Sequence, residues 1–297
     1  FKLINKNSKY NFLGMKKIAL LFSSFLIIVS LLSFTYKGLN WGIDFSSGYI
    51  IQLKFSDDVE IKDVRNKFIE HGVEDSIIQY FGSNKEVIIK LKEDTEFNKE
   101  SVNEFLIKSL KTDNDFQILK LEFVGSQIGS ELRDKGEWAM LIALFSILLY
   151  IGIRFEFLYG IGAIIALIHD VIITLGFFSI TQLQFDLSVL SAVLAVIGYS
   201  LNDTIVVYDR IRENSRAIRQ ESYEETLNIS INQTLSRTII TSLTTLFVLI
   251  SLLLLGGIAV EYFAIAMIVG VLVGTYSSIF IASTSLFLLG ADNKSQD

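Results

Sequence analysis

The sequence predicts an α-helical membrane protein in which six transmembrane helices carry one α+β domain, inserted between the first and second helices. Of the 297 residues, 51% are hydrophobic and the mean hydropathy is +0.48, whereas 20% are charged. Such a chain is too apolar for an ordinary soluble protein and too charged to lie wholly in lipid. Six apolar stretches of membrane-spanning length follow one another, at 18–36, 138–153, 158–180, 187–207, 238–255 and 262–289.

The ends of these stretches set expectations for individual helices. The second is short for a membrane span and is expected to begin near Gly136 and Glu137, whereas the sixth is long enough to be tilted. The first lacks a small-x-small cleavage site and is followed by five more, so we expect it to be retained. The sequence contains no cysteine and no proline, so disulfides are excluded and any helix kink must rely on glycine or serine.

The distribution of basic residues predicts the orientation of the chain. The N-terminal segment 1–17 carries five lysines and no acidic residue, and by the positive-inside rule it lies in the cytoplasm. Six spans also return the C-terminus to the cytoplasm. The rest of the predicted layout is a first helix, an extracytoplasmic domain, five further helices with one cytoplasmic loop, and a tail, at 18–36, 37–136, 137–290 with loop 208–236, and 291–297.

The segment 37–136 alternates short β-like runs with amphipathic helical runs in the order βαββαβ. The β-like runs include YIIQLKF, EVIIKLK and FQILKLEFVG, and the helical runs are VEIKDVRNKFIEHG and NKESVNEFLIKSLK. Because crossover connections are right-handed, the simplest arrangement is ferredoxin-like, with one sheet and two helices on one of its faces. This fold is common and by itself says little about function.

The predicted cytoplasmic loop 208–236 begins with alternating charges and ends in YEETLNISINQTLSR. Apolar residues recur there at every fourth position, which is typical of an amphipathic helix on the inner membrane surface. These residues are Tyr223, Leu227, Ile231 and Leu235. Two interpretations remain open: a connecting helix that anchors the bundle, or a docking site.

Charged side chains are scarce within the six apolar stretches. Apart from Arg237 at the end of the fifth, they are Asp170 and Asp203, and His169 adjoins Asp170. A charge at the bilayer centre costs about 2.5 to 3.5 kcal/mol on insertion scales, so such groups usually face the bundle interior and mark ion pathways. The alternative for Asp203 is an ion pair with Arg237 that only fixes helix register. The alternative for His169 and Asp170 is an inward hydrogen bond to a neighbouring helix.

Helical spacing groups these residues with smaller polar ones. Asn202 falls on a stripe of small residues along the fourth stretch, which would let a neighbouring helix approach closely. Thr241 and Thr245 share the face of the fifth stretch that carries Arg237. Because loop 208–236 joins these two helices as an antiparallel hairpin, we expect Asp203 and Arg237 to lie at similar depth. The small residues of the stripe are Ser188, Ser191, Ala192, Ala195 and Gly198.

Several motifs together resemble the SecF family of protein-translocation membrane subunits. They are WGIDFSSGYIIQLKF after the first helix, VGSQIGSEL before the second, IHD in the third, QFDLSVLSAVLAVIGYSLNDTIVVYDRIREN in the fourth, and NQTLSRTIITSLTT at the fifth. The resemblance covers nearly the whole chain, and the fourth-helix motif is highly specific. It implies an RND-superfamily half bundle that is completed by SecD.

The resemblance also implies an accessory role in protein export from the inner (cytoplasmic) membrane. Such a subunit associates with SecD and the SecYEG channel, and it uses the proton-motive force to complete the export of unfolded polypeptides. By motif, Asp203 and Arg237 match the family's proton-relay pair. The family's extracytoplasmic motif usually reads GIDF-x-GG, and Ser47 replaces its first glycine here, so any role that needs both glycines is in question. The matching residues are Gly42, Ile43, Asp44, Phe45 and Gly48.

The sequence offers no sign of an enzyme, a cofactor or a nucleic-acid partner. It has no Walker-type loop, and two histidines without cysteine make a weak case for a metal site. Protonation of Asp203 would remove its attraction to Arg237, let the helices shift and move the outer domain. Two other functions stay open: an RND-type half-transporter that exports lipid or small hydrophobic molecules, and a non-energised scaffold subunit.

Overall fold

The computed structural model describes residues 10–73, 76–81, 83–92, 99–110, 115–155, 157–217 and 221–290, so the predicted tail 291–297 and most of segment 1–17 lie outside it. Within the described residues, six helices are long and apolar enough to cross a membrane, as the sequence predicts. They are α1 (Lys16–Lys37), α4 (Ser126–Arg154), α5 (Phe157–Thr181), α6 (Leu187–Ala217), α7 (Tyr223–Leu255) and α8 (Ile258–Ser277), which continues through a π-helical turn (Ser278–Ala282) into α9 (Ser283–Leu288).

An α+β domain lies between α1 and α4. Its strands pair antiparallel in the order β3-β4-β2-β5. In the central strand β2 alternate side chains such as Ile51 and Leu53 are fully buried, and they share one core with Phe68 of α2 and Leu106 of α3. The elements are β2 (Gly48–Phe55), α2 (Ile61–Glu70), β3 (Ser76–Phe81), β4 (Ser83–Lys92), α3 (Lys99–Leu110) and β5 (Phe116–Val124).

Gly48, at the start of β2, is packed against the neighbouring strand. A Cβ atom at this position would overlap the carbonyl oxygen of Leu91, so Gly48→Ala is expected to lower the free energy of unfolding by about 1 to 3 kcal/mol. Ser47 does not have a positive φ, which explains why serine is tolerated where the family usually has glycine. Thermal unfolding of the detergent-solubilised chain measures the effect, with Ser47→Ala as the control. Equal melting temperatures for Gly48→Ala and the wild type would contradict it.

The helices of the bundle divide into a central and a peripheral set. In α5, α6 and α8, half or more of the most apolar segment is buried within the protein, against less than one fifth in α1, α4 and α7. Polar side chains on the central helices can therefore be held away from lipid by their neighbours.

Four small residues on the sixth span form a close-packing seam. All four of its residues are buried, and a Cβ atom at Gly270 would overlap the side chain of Val196 on α6. A Cβ atom at Gly274 would lie 2.9 Å from Cβ of Ser200. Glycine thus brings α6 and α8 into close contact. The seam consists of Ala266, Gly270, Gly274 and Ser278.

The segment 208–236 differs from the predicted surface helix. α6 continues to Ala217 and α7 begins at Tyr223, so the segment consists of two helix ends. Leu227 and Ile231 are buried in a core cluster rather than turned towards a membrane surface, because α6, α7 and α9 remain packed together there. Their partners in this cluster include Tyr208, Ile211 and Leu286.

The second span also begins earlier than expected. α4 starts at Ser126, whereas the apolar stretch suggested a start near Gly136 and Glu137. Hydropathy marks only the part of a helix that is apolar, and the polar run SQIGSELRDKGEW continues the same helix towards the α+β domain.

Candidate functional site

Asp203 lies in the middle of α6 and is only 2% exposed. Among the described residues, its Oδ2 atom has no hydrogen-bond partner, and neither do the Oγ1 atoms of its neighbour Thr204 and of Thr238 on α7. Ser242 of α7 faces the carboxyl group. A buried carboxylate oxygen without a partner is costly to hold in its charged form, and uptake of a proton removes that cost.

Arg237 lies near Asp203 on the facing helix α7, as the sequence predicts. It is close enough to act on the carboxyl group electrostatically, but no ion pair joins the two among the described residues. The Arg237 side chain is exposed on the bundle surface, whereas Asp203 is buried. The alternative of a register-fixing ion pair is therefore not realised in this conformation.

The smaller polar residues take different positions. Thr241 and Thr245 are half-buried, and their hydroxyl groups donate to backbone carbonyls one turn back, at 3.0 Å from Arg237 O and 3.0 Å from Thr241 O respectively. Asn202 is exposed. Most of the stripe to which Asn202 belongs faces outwards from the chain. Its exposed members are Ser191, Ala195, Gly198 and Asn202.

His169 and Asp170 form a second polar cluster on α5, and both are at most 3% exposed. Asp170 Oδ2 accepts hydrogen bonds from Ser200 of α6 at 2.5 Å and from Ser277 of α8 at 2.7 Å. Its Oδ1 atom lies 2.8 Å from Nδ1 of His169, whose Nε2 atom lies 3.1 Å from Oγ of Ser23 on α1. Inward hydrogen bonds to neighbouring helices, one of the two interpretations of this pair, are confirmed.

The GIDF motif joins the α+β domain to the bundle. Strand β1 (Asn40–Trp41) pairs in parallel with β6 (Gln184–Phe185), and Gly42 N donates to Phe185 O at 2.8 Å. Asp44 Oδ2 accepts from the backbone N–H of Leu187 at 3.0 Å, so the motif caps the first turn of α6. The motif thus contacts the first turn of the helix that carries Asp203.

Aromatic packing and one arginine hold this joint. Ile43 and Phe45 are buried, and the Phe45 ring packs edge-on against Trp41 with centroids 5.5 Å apart. Arg133 of α4 donates from Nη2 to Phe45 O at 2.9 Å, and its guanidinium lies 4.8 Å from the Trp41 ring centroid. A Cβ atom at Gly42 would lie 2.9 Å from Cβ of Asp186, which explains the glycine.

Several residues of these sites were not found from the sequence. Ser23, Ser200, Ser242 and Ser277 are ordinary residues for an apolar helix, and nothing in their local spacing distinguishes them. Arg133 lies in the polar run that precedes the second apolar stretch, and nothing in its local sequence indicates its contacts. Among the described residues, no group of three or more His, Cys, Asp or Glu side chains is arranged to hold a metal ion.

Known proteins are similar in sequence to this chain along most of its length. A family model described as "Protein export membrane protein SecD/SecF, C-terminal" matches residues 105–292, and "SecD/SecF GG Motif" matches residues 33–59. Protein translocase subunit SecF of Calditerrivibrio nitroreducens is 45% identical over 293 residues, covering 97% of this chain and 96% of that protein. Protein translocase subunit SecF of Vibrio alginolyticus is 42% identical over 292 residues, covering 98% of this chain and 93% of that protein.

A solved structure is also similar to nearly the whole of this chain. The crystal structure of SecDF, a translocon-associated membrane protein from Thermus thermophilus, is 36% identical in sequence and superposes with a TM-score of 0.82. The match covers 96% of this chain but only 39% of the SecDF chain. Sequence motifs, family models and fold agree, and the chain belongs to the SecD/SecF family of protein export membrane proteins.

Proposed function

We propose that this protein is an accessory subunit of the Sec export machinery, which uses the proton-motive force together with a SecD-like partner to drive late stages of polypeptide translocation. The observation that carries the proposal is Asp203, a buried carboxyl group on a central helix, one oxygen atom of which has no partner in the part of the chain that the structure describes. Such a group can alternate between a protonated and a charged form, as a proton-coupled step requires.

α6 supplies the mechanical link from this carboxyl group to the α+β domain. Its first turn is capped by Asp44 of the GIDF motif, and Asp203 lies sixteen residues after Leu187 on the same helix, about 24 Å along its axis. A shift of α6 that follows protonation of Asp203 would therefore reach the joint directly. Arg237 would favour the charged form of Asp203 from the facing helix.

The α+β domain is assigned in this proposal to the outer side of the inner membrane and to the ferredoxin-like class. Its βαββαβ order, its antiparallel strand order and the common core of both helices support the class. The lysines of segment 1–17 support a cytoplasmic N-terminus. In that position the domain would meet an unfolded polypeptide as it leaves the SecYEG channel.

A SecD-like partner would complete the bundle. The outward-facing stripe on α6 (Ser191, Ala195, Gly198 and Asn202) contains small residues, which favour close helix packing, although α6 is otherwise a central helix. The match to only 39% of the solved SecDF chain also fits a protein that supplies one half of a larger assembly. Asn202 of this stripe adjoins Asp203, so the partner would pack beside the Asp203–Arg237 pair.

Gly198→Leu tests this packing. A Cβ atom at Gly198 meets no atom of the described residues within 4 Å, so leucine is accommodated here and would clash only with an approaching helix. Co-purification of the SecD-like partner in mild detergent is expected to fall several-fold. Gly152→Leu on α4 is the matched control, because its Cβ also meets nothing within 4 Å. Undiminished co-purification with Gly198→Leu would place the partner elsewhere.

Export by cells that lack the chain tests the function as a whole. Spheroplasts with and without the wild-type protein are compared for release of secreted proteins, each with the proton gradient intact and collapsed. Release that is faster only where both the chain and the gradient are present supports the proposal. Release that is independent of the gradient would favour a non-energised scaffold instead.

A further inference from the structure

A chain of hydrogen bonds runs from α5 to the backbone of α1. His169 Nε2 lies 3.1 Å from Ser23 Oγ, which lies 3.0 Å from the hydroxyl oxygen of Tyr276 on α8. The Tyr276 hydroxyl in turn donates to the carbonyl oxygen of Ala19 at 2.9 Å. On the other side of the imidazole ring, Nδ1 lies 2.8 Å from Asp170 Oδ1. His169, Asp170 and Ser23 are each at most 3% exposed, so bulk water does not reach them.

The donors in this chain determine where each proton lies. The carbonyl group of Ala19 has no proton, so the single hydroxyl proton of Tyr276 points towards it. Ser23 must then donate its own single proton to Tyr276. The contact between Ser23 and His169 can only be filled by a proton on Nε2. In this conformation, therefore, Nε2 of His169 is protonated.

The contact between His169 and Asp170 holds one further proton. It lies either on Nδ1, which makes an imidazolium beside a carboxylate, or on Oδ1, which makes a neutral imidazole beside a carboxylic acid. In both arrangements the pair has zero net charge and carries one proton more than a neutral imidazole beside a carboxylate. We infer that the His169–Asp170 pair is a second proton-binding site of the bundle, separate from Asp203, and that this conformation is its proton-loaded state.

Release of that proton leaves one contact of the hydrogen-bond chain without a proton. The contacts from Asp170 to Ala19 number four, and after release the participating groups have three protons left to fill them. The hydrogen bonds from Ser200 and Ser277 to Asp170 Oδ2 do not depend on this proton. Proton release therefore loosens α1 from α5 and α8, whereas α5, α6 and α8 stay joined. The affected side adjoins the π-helical turn that begins at Ser278, a kind of irregularity frequent at functional sites.

Few other titratable groups face the pair from the described helices around it. Tyr276 is itself a member of the hydrogen-bond chain, and Asp203 lies three residues after Ser200 on α6. On α1, α4 and α8 the nearest charged residues along the sequence lie just outside the apolar stretches, at Lys17 and Lys37, Glu137 and Arg154, and Glu261. The proton count uses no contact of Asp203, so this site stands independently of the function proposed for Asp203 and Arg237.

The test is the protonation state of Nε2, read by nitrogen-15 NMR of the full chain labelled with 15N-histidine in lipid nanodiscs. The sequence has two histidines, so a His71→Gln background leaves His169 as the only signal. His71 is exposed on the α+β domain, away from the bundle. We expect a protonated Nε2 at neutral pH. A bare Nε2 throughout the range from about pH 5 to 9 would overturn the inference.

A second variant tests the hydrogen-bond chain itself. Tyr276→Phe removes the acceptor of the Ser23 proton, so Ser23 can donate to a bare Nε2 and the extra proton no longer completes a link. We then expect the fraction of protein with a protonated Nε2 at neutral pH to fall several-fold below that of the wild type. Tyr262→Phe, on the same helix but outside the chain of contacts, is the control and should leave that fraction unchanged. Equal fractions in Tyr276→Phe and the wild type would overturn the inference, whatever the export activity of Asp203 variants.

Discussion

Asp203→Asn is expected to abolish the stimulation of export by a proton gradient while the chain still inserts and assembles. The amide keeps the shape and hydrogen-bonding capacity of the carboxyl group but cannot take up and release a proton. Insertion becomes no harder, because the change removes a charge that is costly in lipid. One proton crossing 100 mV supplies about 2.3 kcal/mol, which is a bias of about fifty-fold between two states of the bundle, and the variant loses this bias.

Export of a secreted reporter into inverted vesicles measures the effect, with and without a gradient and at equal protein level. Asp209→Asn is the matched control, because Asp209 lies on the same helix, is exposed, and stands 3.6 Å from Arg154 in a surface ion pair. Exposed pairs contribute little, so this control should export normally. Full gradient-stimulated export by Asp203→Asn would make Asp203 a structural residue.

Arg237→Gln is expected to have the second-largest effect. Arg237 acts on Asp203 through its charge in this conformation and without a direct ion pair. Glutamine removes that charge, so the charged form of Asp203 loses its support and most gradient-dependent export is lost. Arg237→Lys keeps the charge and should retain a larger part of the activity.

The comparison of these two variants separates charge from geometry. Wild-type export by Arg237→Gln would remove Arg237 from the relay. Equal loss in both variants would instead indicate a state in which the guanidinium holds Asp203 by two parallel hydrogen bonds, which an ammonium group cannot form. Thermal unfolding of both variants checks that the bundle is intact.

The sequence predicts the spans and their charged residues because both depend on local composition. Asp170, Asp203 and Arg237 stand out as charges within or beside apolar stretches, and no knowledge of their partners is needed to notice them. The helix ends are less predictable, because an apolar stretch ends where polar residues begin whereas the helix itself continues. α4 and α7 show this at Ser126 and Tyr223.

The partners of the buried groups are not predictable in this way. Asp170 meets Ser277 across 107 positions, and His169 meets Ser23 across 146, so only the packed bundle brings them together. The direction in which the small-residue stripe of α6 faces is not predictable for a related reason. Helical periodicity shows that Ser191, Ala195 and Gly198 share a face, but not whether that face is turned towards this chain or away from it.

The joint at the GIDF motif is predictable only in part. The motif, which includes Gly48, is visible in the sequence. Its pairing with β6 and the hydrogen bond from Leu187 to Asp44 join segments more than 140 positions apart, so they follow only from the structure.

Proton movement through Asp203 is the central claim, and it is tested most directly in proteoliposomes. The chain and its SecD-like partner are reconstituted together with a pH-sensitive dye inside, a proton gradient is imposed, and the wild type is compared with Asp203→Asn at equal protein level. We expect proton influx above that of protein-free liposomes with the wild type and none above that background with Asp203→Asn. Influx at the wild-type rate in Asp203→Asn would contradict the assignment of Asp203 as the proton-carrying group.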